Sequence, residues 1–154
     1  MRWVPAVAWI WPVLLWSGMG NREAYYRVEQ LVLSAPRPLR RQLPATWLAG
    51  VAVAAVSGAG IAAFLAIRGD AAGLLGWGAG VLFVPSLALA LGTLSRSSKA
   101  FEVIYSIWWY AGPISGLAPL DYSGLGGGAV AAPYLLLTAG LLGVAVAGRA
   151  RWRA

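Results

Sequence analysis

The chain has no cysteine and no histidine among its 154 residues. Without thiols and imidazoles there is no disulfide framework, no Cys/His zinc site, no haem ligation through those residues and no Cys–His or Ser–His nucleophile. Charge is scarce as well. Asp, Glu, Lys and Arg make up 11% of the chain, against about 25% in a soluble domain. Water solvates such a surface poorly, and the physical alternative is a bilayer, where apolar side chains face lipid. Acids are scarcest, with five Asp/Glu against twelve Lys/Arg and a net charge of +7. In a soluble protein that excess would point to nucleic acid. Here the cations gather at the ends of apolar runs, which is the pattern of membrane orientation, so no nucleic acid is expected. No GxxxxGK[ST] loop is present to cradle ATP phosphates. With no activated nucleophile to name, no enzyme activity is expected, and no catalytic, cofactor-binding or metal-ligating residue is assigned.

What the chain does have is apolar sequence, 60% of it by residue count. It falls into five runs, at about 3–20, 45–67, 71–95, 103–120 and 130–147. The second run is 23 residues without a charge, enough to cross ~30 Å of hydrocarbon at ~1.5 Å per residue. The expectation is an all-α, polytopic helical integral membrane protein. It would have about five transmembrane helices, one cytoplasmic amphipathic helix, and a single transmembrane domain over 1–154.

Details of the runs sharpen this. Trp3 and Trp16 lie near the ends of the first run, where indoles favour the headgroup level. Arg2 before an apolar core also fits a signal peptide, although residues 16–20 form no clean small-residue cleavage site. Gly50, Ala54, Gly58, Ala62 and Ala66 recur at every fourth position. That stripe either lets helices approach closely in lipid or reflects chance in a chain rich in Ala and Gly. Arg68-Gly69-Asp70 reads as a tight turn, Pro85 as a kink and residues 95–99 as a short polar loop. Residues 112–128 are rich in Gly and Pro, which suggests a short helix, a bend and a re-entrant outer segment. Glu102 and Asp121 sit at run ends, and no Asp, Glu, Lys or Arg lies deep in a run. Proton-coupled carriers and ion channels usually need such groups.

The one long polar interval is Arg22 to Arg41, which holds five of the twelve Lys/Arg. With alternating crossings, one side receives Arg22, Arg27, Arg37, Arg40, Arg41, Arg96, Lys99, Arg149, Arg151 and Arg153. The other receives Arg2 and Arg68, so the first side is expected to be cytoplasmic, with the N-terminus outside and the C-terminus inside. Within the interval, residues 22–34 suit an amphipathic helix. Asn21 is placed as its N-cap and Glu23 stands in the first turn. Glu23 and Arg27 are an i,i+4 pair. Ala24, Tyr25, Val28, Leu31 and Val32 fall on one face, and Pro36 and Pro38 end the helix. Two readings of this helix compete. It lies on anionic lipid, or it fits a groove on a cytosolic protein, which the acids Glu23 and Glu29 favour.

The order of an apolar span, then REAYYRVEQLVLSAPRPLRRQLPATWLAGV, then a further span resembles the membrane subunits of ABC-2-type transporters, which have the type V exporter fold. LGTLSRSSKAFEVIYSIWWYAGPISGLAPLDY looks like the later part of such permeases. The resemblance implies a permease component of an ATP-driven exporter, multi-pass in the bacterial inner membrane. It also implies a separate cytosolic ABC ATPase that binds the ATP, and a second permease subunit in a homo- or heterodimer. Residues Glu23, Tyr25, Arg27, Val28, Glu29, Leu31 and Val32 would form the coupling helix that touches the ATPase. Residues 112–128 would be the outer re-entrant segment. Such permeases have six crossings with both termini inside, so the chain looks like one lacking its first crossing through truncation, a misassigned start or a split gene. Trp108, Trp109 and Tyr110 could line a path for an apolar or amphipathic cargo, or simply pack against helices or lipid. The alternative function is a non-transport membrane scaffold or assembly protein with a lipid-surface helix.

Overall fold

The computed structural model describes residues 3–20, 38–125 and 128–151. These residues form helices and irregular connections, with no strand among them. The helices are α1 (Trp3–Ile10), α2 (Val13–Ser17), α3 (Pro38–Ser57), α4 (Ala59–Ile67), α5 (Ala71–Ser95), α6 (Ser98–Trp109) and α7 (Ala131–Arg151). A π-helical turn, Tyr110–Ile114, continues α6. Short 3₁₀ turns lie at Ala118–Leu120 and Gly128–Val130.

The expected tight turn at 68–70 starts α5. Gly69 takes φ +68°, and the Asp70 carboxylate accepts the Gly73 backbone N–H at 2.8 Å, capping the helix. α5 then runs unbroken through Pro85 over the whole third apolar run. It ends at Arg96, in the left-handed region at φ 54°. Ser97 caps α6 by accepting the Lys99 N–H at 3.2 Å.

α5 is the axis of the molecule. α2, α3, α4, α6 and α7 all pack against it, α7 along most of its length. Two glycines let irregular backbone reach it. A Cβ at Gly80 would collide with the Tyr122 carbonyl, and one at Gly92 with the Met19 carbonyl. A clasp from α3 adds to this. Trp47 Nε1 donates to Ser86 Oγ at 2.8 Å, and Ser86 Oγ donates to the Leu82 carbonyl at 2.7 Å.

Two helices are long and apolar enough to cross a membrane, α5 and the stretch Gly128–Arg151 that contains α7. A third is reached if α3 and α4 count as one span, bent by 55° between Ser57 and Ala59. The other two apolar runs are not single long helices. Residues 3–20 break into α1 and α2 at Trp11-Pro12, because Pro12 has no N–H and its ring crowds the preceding turn. Residues 103–120 leave the α-helix after Trp109. There Pro113 removes a donor, and the Ser115 N–H bonds back to the Tyr110 carbonyl at 2.8 Å in the wider π register.

Candidate functional site

The residues expected to contact an ATPase, Glu23, Tyr25, Arg27, Val28, Glu29, Leu31 and Val32, lie outside the described residues. The three expected to line a path are described, and successive positions on a helix point about 100° apart. Trp108 turns inward, donating Nε1 to Tyr134 Oη at 2.9 Å. Trp109 packs partly buried against the core. Tyr110 is 63% exposed on the outside. The three therefore do not share one surface.

The structure assembles a different cluster, from α1, α2, α5, α6, α7 and the segment after the π turn. Trp9, Trp16, Phe83, Phe101, Tyr105, Tyr122 and Tyr134 are all buried. Tyr105 stacks on Phe101 at 5.1 Å between ring centroids. Trp9 meets Tyr122 edge-on at 5.4 Å, and Phe83 meets Tyr134 edge-on at 4.8 Å. Such edge and offset contacts suit the ring quadrupoles.

Hydroxyls thread this cluster. Tyr122 Oη donates to Tyr105 Oη at 2.9 Å, and Tyr105 Oη donates to the Trp9 carbonyl at 2.6 Å. Trp9 lies in the last turn of α1, where carbonyls have no partner within the helix, so Tyr105 satisfies it across 96 positions of sequence. Tyr134 Oη in turn donates to the Pro119 carbonyl at 3.3 Å. Asp121 holds the segment's turn by accepting the Ser123 N–H at 3.0 Å and the Ser123 hydroxyl. The chain of hydroxyls is neutral throughout and ends on backbone carbonyls. It locks the segment 115–125 against the helices, with each tyrosine hydroxyl of the cluster donating to an acceptor within the protein.

Two further features could meet a ligand or partner. The first is a cleft of about 370 Å³ between α2 and α3, walled by Leu15, Trp16, Met19, Ala45, Ala49 and Val53. The second is the outward face of α7, where Leu135, Leu136, Leu137, Val144 and Val146 are exposed. No group of three or more Asp, Glu, His or Cys gathers into a metal-holding cluster among the described residues. At the start of α6, Lys99 Nζ donates to Glu102 at 2.8 Å, and that bond holds the Glu102 carboxyl below its ordinary range.

Sequence reasoning missed the hydroxyl lock. Tyr105 and Tyr134 lie in apolar runs where a tyrosine is unremarkable, and Tyr122 stands in a loop-like, glycine-rich stretch. The available signal was Asp121-Tyr122-Ser123, a turn-forming pair around a large ring that needs a hydroxyl partner when buried.

No protein-family model matches the chain, and neither a curated protein nor a solved structure is significantly similar to it.

Proposed function

We propose that the chain is the membrane permease component of an ATP-driven exporter of the ABC-2 type, coupled to a separate cytosolic ATPase that binds the nucleotide. The observation that supports it most is the basic interval Arg22 to Arg41, which leads into α3 and the candidate bent span that α3 and α4 form. A cationic, amphipathic stretch between two apolar regions is where a soluble motor would reach the membrane part. With alternating crossings, the ten-to-two division of cations favours the cytoplasmic side for that interval. In this reading the first and fourth apolar runs cross as broken segments, giving five crossings.

The interior offers this reading one further constraint. Packed aromatic rings fill the space around α5, so a cargo path would run between this chain and a second permease subunit. Tyr110, on the outside, is then the member of the Trp108–Tyr110 trio that could face such a path.

The experiment is affinity purification from native membranes in mild detergent, with ATP hydrolysis as readout. An ABC-type ATPase should co-purify, and Val28→Asp or Leu31→Asp should release it. Retention of the ATPase by both variants would remove the coupling role from residues 22–34.

A second reading, a membrane scaffold with a lipid-surface helix, is favoured by the excess of Arg over acid in the same interval. It predicts no associated ATPase and binding of a peptide covering residues 22–41 to anionic liposomes. That binding should fall steeply between low salt and 0.5 M, as screening shortens the Debye length.

A further inference from the structure

The candidate span made of α3 and α4 turns by 55° between Ser57 and Ala59. A Gly/Ser pair is one common cause of a sharp kink, and water entering the backbone ladder is another. At this kink the Ile61 and Ala62 N–H groups both donate to the Gly58 carbonyl, at 3.0 and 3.1 Å. A continuous α-helix would give the Ile61 N–H to the Ser57 carbonyl. The inner side of the bend is the face of Ala54, Gly58 and Ile61, all three buried.

Two indoles close on that face, Trp9 from α1 and Trp77 from α5. A Cβ at Gly58 would stand 2.6 Å from Trp77 Nε1, 3.1 Å from Trp9 Cζ2 and 3.3 Å from the Ala54 carbonyl oxygen. Cζ2 is two bonds from Nε1, so both indole N–H groups lie on ring edges that meet at this glycine. Trp9 is 0% exposed. Its Nε1, Trp77 Nε1 and the neighbouring Ser57 Oγ are buried atoms with no hydrogen-bond partner among the described residues. Trp16, Trp47 and Trp108, by contrast, each donate to a protein acceptor.

The chemistry of these atoms specifies what joins them. An indole N–H only donates, and nearly all buried donors in native proteins have a partner, either protein or ordered water. Within a membrane span no bulk solvent is at hand, and ordered water is one of the groups that satisfy a broken helix. The partner here must accept from two donors and reach a hydroxyl. Water does so with two lone pairs and two protons. An anion would also accept from both indoles, but none of the groups named here is a cation to offset the cost of burying it. We propose that a single water molecule is bound on the inner side of the α3–α4 bend, accepting from Trp9 Nε1 and Trp77 Nε1 and bonded to Ser57 Oγ. It ties α1 and α5 to the bend. The site goes beyond the exporter reading and does not depend on it, since a scaffold in the same bilayer would carry it equally.

The test is proton NMR of the full chain in lipid nanodiscs, with nitrogen-15 tryptophan to pick out the indole N–H signals. The Trp77 signal is the one that Trp77→Phe removes. It should show a cross-peak to water whose sign is opposite in NOESY and ROESY spectra, the mark of a water held beside the proton rather than of proton exchange. Trp9→Phe and Ser57→Ala each remove one partner and should weaken that cross-peak by about twofold or more, because a held water needs two to four polar partners. Unmoved signals from the other indoles report that a variant folds. Ser57→Ala leaves both rings in place, so it tests the site even where the fully buried Trp9 does not tolerate exchange. A folded wild type with no such cross-peak at Trp77 would overturn the proposal, and an anion in the same place would give that result. So would a cross-peak undiminished by Ser57→Ala, or by Trp9→Phe where that variant folds.

Discussion

α5 and the stretch containing α7 are nearly twins by composition, with mean hydropathies of 1.9 and 2.0 over their most apolar windows. Their surroundings are opposite. In those windows 67% of the α5 stretch is buried and only 22% of the α7 stretch. Hydropathy therefore says that each helix avoids water and nothing about which one the other helices surround. The difference lies in the distribution of size. α5 carries Gly76, Ala79, Gly80, Ala88, Ala90 and Gly92 at buried positions, so neighbouring backbone can close on it from several sides. α7 points leucines outward at 135, 136 and 137 and keeps Tyr134, Thr138 and Ala145 for α5 and its neighbours. In a bilayer this contrast needs no further partner for α7, because lipid tails are as apolar as leucine.

Substitutions can break this contrast, and the largest effect is expected inside α5. Leu89 is fully buried, so Leu89→Ala should cost about 2–5 kcal/mol, read as a fall in the thermal or denaturant midpoint in detergent. Gly80→Ala should cost about 1–3 kcal/mol, because the new methyl must push the Tyr122 carbonyl away from α5. Tyr105→Phe keeps the ring but leaves the Trp9 carbonyl and the Tyr122 hydroxyl unpaired. About 1–3 kcal/mol is expected from that loss, with protease sensitivity rising in the segment 115–125 that Tyr122 anchors. Leu136→Ala removes the same atoms as Leu89→Ala from a side chain that is 75% exposed, and should change stability by less than about 0.5 kcal/mol. A cost for Leu136→Ala equal to that for Leu89→Ala would mean that the α7 face is covered.

The smallest effect is expected at Glu102. Its folded pKa is lowered, first by the hydrogen bond from Lys99. Stability from that pair is present above the ordinary glutamate pKa and is lost as pH falls through the lowered folded value. Because Lys99 is 78% exposed in the pair, Glu102→Gln should cost less than about 0.5 kcal/mol at neutral pH.

The parts of this fold that are legible in the sequence are those set by local chemistry. Uninterrupted apolar stretches mark α5 and α7, the Arg68-Gly69-Asp70 turn stands where its glycine and cap residue are, and the short polar stretch 95–99 holds the break between α5 and α6. The all-helical class follows from the same runs. The breaks were harder to see, because an apolar run reads as a span whether or not its backbone stays helical. Pro12 splits the first run and Pro113 widens the fourth. The 55° bend between α3 and α4 falls beside Gly58, with the rings of Trp9 and Trp77 packed close against it. That arrangement depends on two residues remote in sequence from the glycine. The hydroxyl chain was illegible for the same reason, since Tyr105 finds Trp9 only once α1 and α6 are folded together. Trp108, Trp109 and Tyr110 read as one aromatic feature along the chain and are separated by helical geometry into inward, packed and outward positions.

The absence of cysteine makes one direct test available, because each introduced thiol is unique. Spin labels placed singly at positions 84, 88, 136 and 144 in lipid vesicles can be compared by collision with oxygen, which partitions into hydrocarbon, and with a water-soluble nickel chelate. A membrane protein built around α5 predicts high oxygen and low nickel accessibility at 136 and 144, and low accessibility to both at 84 and 88. High nickel accessibility at 136 and 144 would place the outward face of α7 in water and contradict the account.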